Sequence, residues 1–391
     1  MRTVLMILRS SKSYDLTMLE GIIKYSQEVG GWNIYRLVYQ YYSQLGDDAI
    51  IERALSLETE IVFGRLSDSM IKKLKDNNIL PITERFELLK SMDLMIFNDS
   101  LNVGRVAADY FIENRFQHFA FCGTSSTWST SRLKGFEERL KTYKPNLPVY
   151  KFVTPPPLND PCPYELFAQI CDWLSSLPSG CALFTCDDEA ALVVIDACNF
   201  LRIKVPDEIA VLGVGNDNWC CTIANPNIST IPINNFYAGY EAAKRADILL
   251  KTGKIQDNII ITEPKPIIER GSSGRFSIKD KVAQAVLRAI NEALVHKTEE
   301  NCSVDQILMN VPFVRRTCEM HFKKEMGVPI YRYYMNKKIK MITFELANSD
   351  LPIQKVILKY GFHDYPHFCR LFKRLMKMSP RQYIAESNLS I

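Results

Sequence analysis

The sequence predicts a two-lobe α/β domain followed by an all-α domain built on a repeated helix–turn–helix unit. Three observations predict it. Residues 1–275 alternate apolar runs of strand length with amphipathic runs of helix length, the pattern of parallel sheets covered by helices. The last hundred or so residues carry one pattern twice, 50 residues apart. The charge is divided as well: residues 276–391 hold 19 Lys+Arg against 11 Asp+Glu, and the rest of the chain holds 29 against 33. A basic tail on an acidic body suggests a polyanion as the tail's partner.

In the first part, TVLMIL opens the series and precedes the helix pattern LTMLEGIIKYSQE. WNIYRLVY, EIVFGRL and LMIFND are the next strand candidates, and HFAFCG, CALFTC and IAVLGVG continue them. VGRVAADYFIEN, DEAALVVIDACNFL and AGYEAAKRADILLKTG read as helices between the strands. This exceeds one doubly wound sheet. Two lobes follow, with a small-ligand site expected in the cleft at the strand C-terminal ends.

In the second part, Phe322-Lys323-Lys324 falls on Phe372-Lys373-Arg374, Cys318 on Phe368, Ile307 on Ile357 and Tyr333 on Tyr383. Each copy has a first helix (303–309 and 352–360), a turn at Asn310-Val311-Pro312 or Gly361-Phe362, and a second helix with a basic end. The motifs span about 303–324 and 352–374. Asp305 and Pro352 suit first-turn positions, and Asp364 suits an N-cap. Met341 to Leu346 belongs to a long helix joining the copies.

In a helix-turn-helix unit the first helix braces on the backbone and the second lies in the major groove. Period 3.6 turns Phe368, Leu371, Phe372 and Leu375 inward, and Tyr365, Pro366, Cys369, Arg370 and Lys373 outward. In the first copy Cys318, His321 and Phe322 are inward, and Arg315, Arg316, Glu319 and Met320 outward. The expected contacts to double-stranded DNA are therefore Arg315, Arg316, Glu319 and Met320, then His363, Tyr365, Pro366, Arg370, Lys373 and Arg374. Arg370 suits a guanine edge, and Lys373 and Arg374 suit phosphates.

Other classes are disfavoured. The eleven cysteines are scattered without a CxxC pair, so they read as reduced small hydrophobes rather than zinc ligands. His363 and His367 read as turn and packing residues. Cys186 beside Asp187 is the only pair suggesting a nucleophile, and no histidine lies near it in sequence. No phosphate loop or paired-histidine motif appears. The expectation is a chain that is not an enzyme and takes no cofactor. The apolar run between Arg2 and Arg9 is too short for a signal-peptide core, and no membrane-spanning run follows. A cytoplasmic protein without a membrane partner is expected.

From Ser303 to Ile384 the chain resembles the AraC-type DNA-binding domain, on Gly361-Phe362, Phe368, Phe372-Lys373-Arg374, Ser379-Pro380 and Tyr383. It departs from that family at Lys377, where glycine is usual, at Ile384, where arginine is usual, and at Ile330, where many members have proline. Residues 1–275 resemble the LacI/GalR regulatory domain, which has the periplasmic-binding-protein-like fold. The resemblance runs through Asp99 and Gly104, Ser131-Arg132, Gly135-Phe136, Asp187 and Ala190, Val205-Pro206 before VLGVG, the stretch from Asn227 to Ile231, and Glu269-Arg270-Gly271-Ser272. The order, sensor before reader, resembles that of xylose-operon activators.

These resemblances imply a homodimeric, sugar-responsive transcription activator that works with RNA polymerase. A sugar receptor without DNA function is the alternative, and the repeated motif argues against it. The implied ligand contacts are Tyr14, Asp15, Trp128, Arg132, Asp187 and Asn216. An arginine and a carboxylate can bracket vicinal hydroxyls, and an aromatic ring stacks on a sugar's C–H face. Each has a plainer reading: Asp187 as a helix cap, Arg132 paired with Glu137 or Glu138, Trp128 as core, Tyr14-Asp15 as a helix start. Gly215 stands where the family commonly places a sugar-binding aspartate, with Asn216 or Asp217 as substitutes. If the cleft is otherwise xylose-like, Gly215→Asp is expected to strengthen pentose binding; otherwise the cleft is built for another ligand.

Overall fold

The computed structural model describes residues 1–8, 13–38, 46–85, 92–156, 158, 162–273, 280–296, 301–347, 351–376 and 378–389. The first lobe runs β1 (Thr3–Leu8), α1 (Ser13–Glu28), β2 (Asn33–Val38), α2 (Gly46–Ser56), β3 (Ile61–Gly64), α3 (Asp68–Asp76), β4 (Leu80–Arg85) and β5 (Met95–Asn98). The chain then crosses into the second lobe. There it forms α4 (Ser100–Glu113), β6 (His118–Thr124), α5 (Thr127–Tyr143), β7 (Val149–Thr154), α6 (Tyr164–Ser175), β8 (Cys181–Thr185), α7 (Asp188–Phe200), β9 (Ile209–Gly215), α8 (Asn218–Ile223) and β10 (Ser229–Pro232). It returns to the first lobe for α9 (Asn235–Thr252) and β11 (Ile259–Thr262).

The sheets have strand orders β11-β5-β4-β3-β1-β2 and β10-β9-β8-β6-β7, and their strand pairs are parallel. Helices cover the sheet faces, so β6, β8 and β9 are buried almost end to end. Their near-continuous apolar sequences follow from that burial. After β11 the chain turns back along the second lobe. Residues 263–273 lie beside β10 as a strap, through antiparallel bridges Thr230–Ile268 and Ile233–Pro264.

Both lobes use the same close helix crossing. A Cβ on Gly104 would sit 2.0 Å from the Arg132 carbonyl oxygen, and one on Gly135 would sit 1.9 Å from that of Leu101. In the first lobe, a Cβ on Gly21 would sit 2.0 Å from the Phe236 oxygen, and one on Gly239 would sit 2.0 Å from that of Met18. Backbone therefore meets backbone where α4 crosses α5 and where α1 crosses α9. The first crossing fixes the height of Arg132 at the cleft.

The C-terminal part holds α10 (Lys281–His296), α11 (Val304–Leu308), α12 (Arg315–Met326), α13 (Ile330–Ala347), α14 (Ile353–Lys359), α15 (Tyr365–Met376) and α16 (Pro380–Leu389). They share one core, in which Cys318, Phe322, Phe368 and Phe372 are fully buried. Val286, Ile290 and Leu294 of α10 join it, although the sequence pattern had not singled out that helix. The 50-residue repeat recurs in the geometry. Phe322 meets Tyr333 edge-on at 5.5 Å, and Phe372 meets Tyr383 edge-on at 5.9 Å.

Ser303 and Gln306 form a capping box at α11, with Asp305 in its first turn. Asp364 accepts from the His367 amide at 3.0 Å and caps α15. Pro352 takes the N-cap position of α14 rather than its first turn, and Met341 to Leu346 lies within α13. Ile330 is buried at the first position of α13, matching Pro380 at the first position of α16. Ile384 packs on the same core. The expected division at 275/276 and the departure at Lys377 lie outside the described residues. Among those described, no helix is long and apolar enough to cross a membrane.

Candidate ligand cleft and nucleic-acid interface

On the first lobe a cavity of about 200 Å³ is lined by Tyr14, Asp15, Arg65 and Glu84, with Phe63 and Ile82 among its apolar walls. Glu84 is its hub. The Tyr14 hydroxyl donates to Glu84 Oε1, Arg65 Nε donates to Oε2 at 3.0 Å, and Asn98 Nδ2 donates to Oε1 at 3.2 Å. Ser100 in turn donates to Asn98 Oδ1 at 2.9 Å. Burial, then the Glu84 charge, holds the Tyr14 phenol well above its ordinary pKa, so it stays a donor. The sequence pointed to Tyr14 and Asp15 but not to Arg65, Glu84 or Asn98. Those three stand at or next to the C-terminal ends of β3, β4 and β5, where a ligand site of this topology belongs.

On the second lobe Arg132 is only 5% exposed. Its Nη1 donates to the Cys186 carbonyl, and its guanidinium lies 5.0 Å from the centre of the Trp128 ring. Its Nε is buried with no hydrogen-bond partner among the described residues. Burial lowers the Arg132 pKa, against raising influences that include Asp187, Tyr14 and Glu84. The last two belong to the opposite lobe, so the two walls face each other. Glu137 pairs with Lys151 and Glu138 with Arg105, each at 3.0 Å, which leaves Arg132 to the cleft. Trp128 also packs on the second-lobe core. Asp187 accepts from the Ala190 amide at 2.8 Å and so caps α7 while its charge acts on Arg132.

The residues after β9 are already engaged. Asn216 has a positive φ of 58°, and its Oδ1 accepts from Arg270 Nη2 at 2.7 Å. Asp217 caps α8 by accepting from the Cys220 amide at 3.0 Å. Gly215 has φ +126°, and a Cβ there would lie 3.4 Å from Asp188 Oδ2. Asp188 is buried and accepts from Thr230 Oγ1 at 2.6 Å and from the Asp217 amide at 2.7 Å. Burial pushes its pKa up to about 6. The backbone and charge at this position oppose the expected benefit of Gly215→Asp. A carboxylate there would meet an unfavourable backbone conformation and the like charge of Asp188.

The strap joins this cleft to the helical domain. Beside Arg270, Glu269 accepts from Lys337 of α13 and, at 2.7 Å, from Asn291 Nδ2 of α10. Burial lowers the pKa of Lys265, also on the strap, and the Glu345 charge on α13 opposes this.

On α12 the exposed residues Arg316, Met320 and Lys323 recur at helical spacing on one face. Arg315 is held by Asp305 at 2.7 Å and by Glu319 at 2.9 Å, so these predicted contacts already bind each other. On α15, Pro366, Arg370, Lys373 and Arg374 are exposed, as is His363 in the preceding turn. Tyr365 departs from the expected outward face. Its ring is half-buried against the helical core, where burial and Cys369 raise its pKa against an opposing Arg381.

Residues 108–273 match the family of periplasmic binding protein-like domains, and residues 310–386 match a helix-turn-helix domain family. With the facing cleft walls and the two exposed basic helices, these make the chain a DNA-binding transcription regulator that joins a periplasmic-binding-protein-like sensing domain to an AraC-type helix-turn-helix domain. In particular, it is similar along nearly its whole length to xylose operon regulatory proteins. That of Haemophilus influenzae is 24% identical, covering 97% of each chain. That of Escherichia coli K12 is 24% identical, covering 97% of this chain and 96% of its own. The solved structure of a xylose-binding transcription activator, xylR, covers 98% of this chain and 97% of its own, with TM-score 0.57 and 22% identity. The regulator CcpA of Lactococcus lactis covers 70% of this chain and 99% of its own, with TM-score 0.57 and 15% identity.

Proposed function

We propose that residues 1–275 sense xylose or a related sugar and that residues 276–391 read double-stranded DNA, the whole acting as a cytoplasmic homodimeric activator of sugar-utilisation genes. The observation that carries the sugar reading is Arg132. A buried guanidinium whose Nε has no hydrogen-bond partner among the described residues, beside Trp128 and facing Tyr14 and Glu84, supplies the donor, the ring and the acceptors that a neutral polyol needs. The relatives' names, xylose operon regulator and xylose-binding activator, support the same ligand class. In this reading Arg132 and Asp187 bracket vicinal hydroxyls and Trp128 covers a C–H face. Tyr14, Asp15 and Asn216 complete the polar rim. The cleft binds its sugar without converting it.

Closing the lobes on a ligand acts on the strap, and the strap carries both Arg270 and Glu269. The sugar controls DNA binding only by favouring the arrangement in which the readers are presented productively. Each subunit carries two readers, so a half-site spans two successive major grooves about 34 Å apart, and the bound dimer recruits RNA polymerase. Calorimetry of the full chain against D-xylose and a panel of pentoses, hexoses and uronic acids tests the reading. Saturable heat for at least one sugar, weakened in Arg132→Ala, is expected. A silent panel would overturn the sensor assignment.

A further inference from the structure

The two readers are equivalent in fold but not in the chemistry of their tips. The 50-residue repeat puts Met320 where the second reader has Arg370, Val314 where it has Asp364, and Arg316 where it has Pro366. Val314, at the N-terminal end of α12, is 75% exposed, and Met320, midway along the helix, is 61% exposed; a helix of this type lies in the major groove. Val314 occupies the N-cap position of α12, where an apolar side chain cannot accept from the helix amides and is disfavoured. At the matching place Asp364 does accept such a bond. The first reader thus gives up a cap for one apolar side chain at its tip and presents a second, Met320, on its exposed face more than a turn further along.

Their surroundings indicate what meets them. Arg316 and Lys323 flank Met320 on the same exposed face, and both attract a polyanion. The Glu319 carboxylate, which would repel phosphate, is occupied by Arg315. Basic flanks with an apolar centre suit a DNA backbone on either side and an apolar base edge between. In the major groove the one apolar group on a base edge is the thymine 5-methyl.

We infer that the first reader recognises thymine by its 5-methyl group through Met320, while the second reader uses Arg370 at the equivalent position. This rests on the DNA-binding reading above and adds a base identity to it.

The test uses the full-length protein and a randomised duplex library at low salt to select a binding site. Each dT of that site is then replaced in turn by dU, which removes the methyl group and keeps the pairing. The expected result is one or two positions in the half contacted by α12 where dU weakens binding about three- to fivefold, the effect of one buried methyl. Met320→Ala should abolish that sensitivity, and Met320→Arg should shift the preferred base there towards guanine. Indifference to dU throughout that half, or an undiminished dU effect in Met320→Ala, overturns the inference while leaving DNA binding intact. A library with no enriched sequence overturns the DNA-binding reading and this inference with it.

Discussion

Glu269 on the strap is ion-paired with Lys337 on the helix that joins the two readers. The next residue, Arg270, bonds Asn216 at the cleft end of β9. Neighbouring side chains thus hold the sensor on one side and the reader on the other. Glu269→Gln and Lys337→Met should leave sugar affinity near wild type and reduce the sugar-induced change in DNA affinity by about 1 kcal/mol, within the usual range of coupling energies. Gel shifts with and without D-xylose measure this, and an unchanged sugar effect in both variants would remove the pair from the pathway.

In the cleft, Arg132→Ala and Asp187→Ala should each weaken sugar binding by about 1–3 kcal/mol if each loses a buried charged hydrogen bond. Glu84→Gln should have a comparable effect through a second route, because Tyr14, Arg65 and Asn98 all donate to that carboxylate. Calorimetry on the three variants decides. A wild-type affinity in all of them would place the ligand elsewhere.

Much of this was legible in the sequence because burial writes itself as apolar runs. TVLMIL, HFAFCG, CALFTC and IAVLGVG became β1, β6, β8 and β9, and the Phe-Lys-Lys and Phe-Lys-Arg repeat located both readers. β4 was not legible. Its sequence LPITER carries a proline at the second position and polar residues at the end, a composition that argues against a strand. The structure accommodates it because β5 pairs with β4 only from Thr83 onward. With β4 unseen, Glu84 could not be placed at a cleft. Tyr365 failed for a related reason. Helical period predicts which way a side chain leaves the helix, but not that Arg381 and the helical core lie close enough to receive it.

The glycine crossing should be intolerant. Gly104→Ala would push its Cβ into the Arg132 carbonyl and force α4 from α5, at about 1–3 kcal/mol for overpacking. Gly215→Asp should also destabilise, by about 1–3 kcal/mol for a side chain at a positive φ. Thermal melts of the unliganded chain test both, and wild-type stability in Gly215→Asp would mean that the backbone there accepts a side chain at no cost.

Asp188 makes stability depend on pH in a defined direction. Its pKa is raised to about 6 in the folded chain, so the folded state holds a proton that the unfolded state has released. Stability from this group therefore falls as pH rises through the interval below about 6, and the cost is complete above it. Relative to Asp188→Asn, the wild type should lose about 2 kcal/mol between pH 4.5 and 7. A difference between the two that stays constant with pH would mean that Asp188 is ionised throughout.

Among the basic residues of the readers, Arg370→Ala should relax specificity at one base pair, and Lys373→Ala should weaken all sequences alike and lower the salt slope by about one unit. Arg316→Ala should weaken binding more than Arg315→Ala, because Arg315 is committed to Asp305 and Glu319. Gel shifts over single-base variants of the selected site at several salt concentrations separate these. Equal losses on every variant for Arg370→Ala would make it a backbone contact.

In the proposed function, cleft occupancy and DNA reading are one linked equilibrium. The most direct measurement is calorimetric titration of D-xylose, or the sugar that the panel identifies, into the full-length protein with and without its selected duplex. Linkage predicts that DNA changes sugar affinity by the same factor by which sugar changes DNA affinity, and that Glu269→Gln shrinks both together. A sugar affinity identical in the presence and absence of DNA would contradict it.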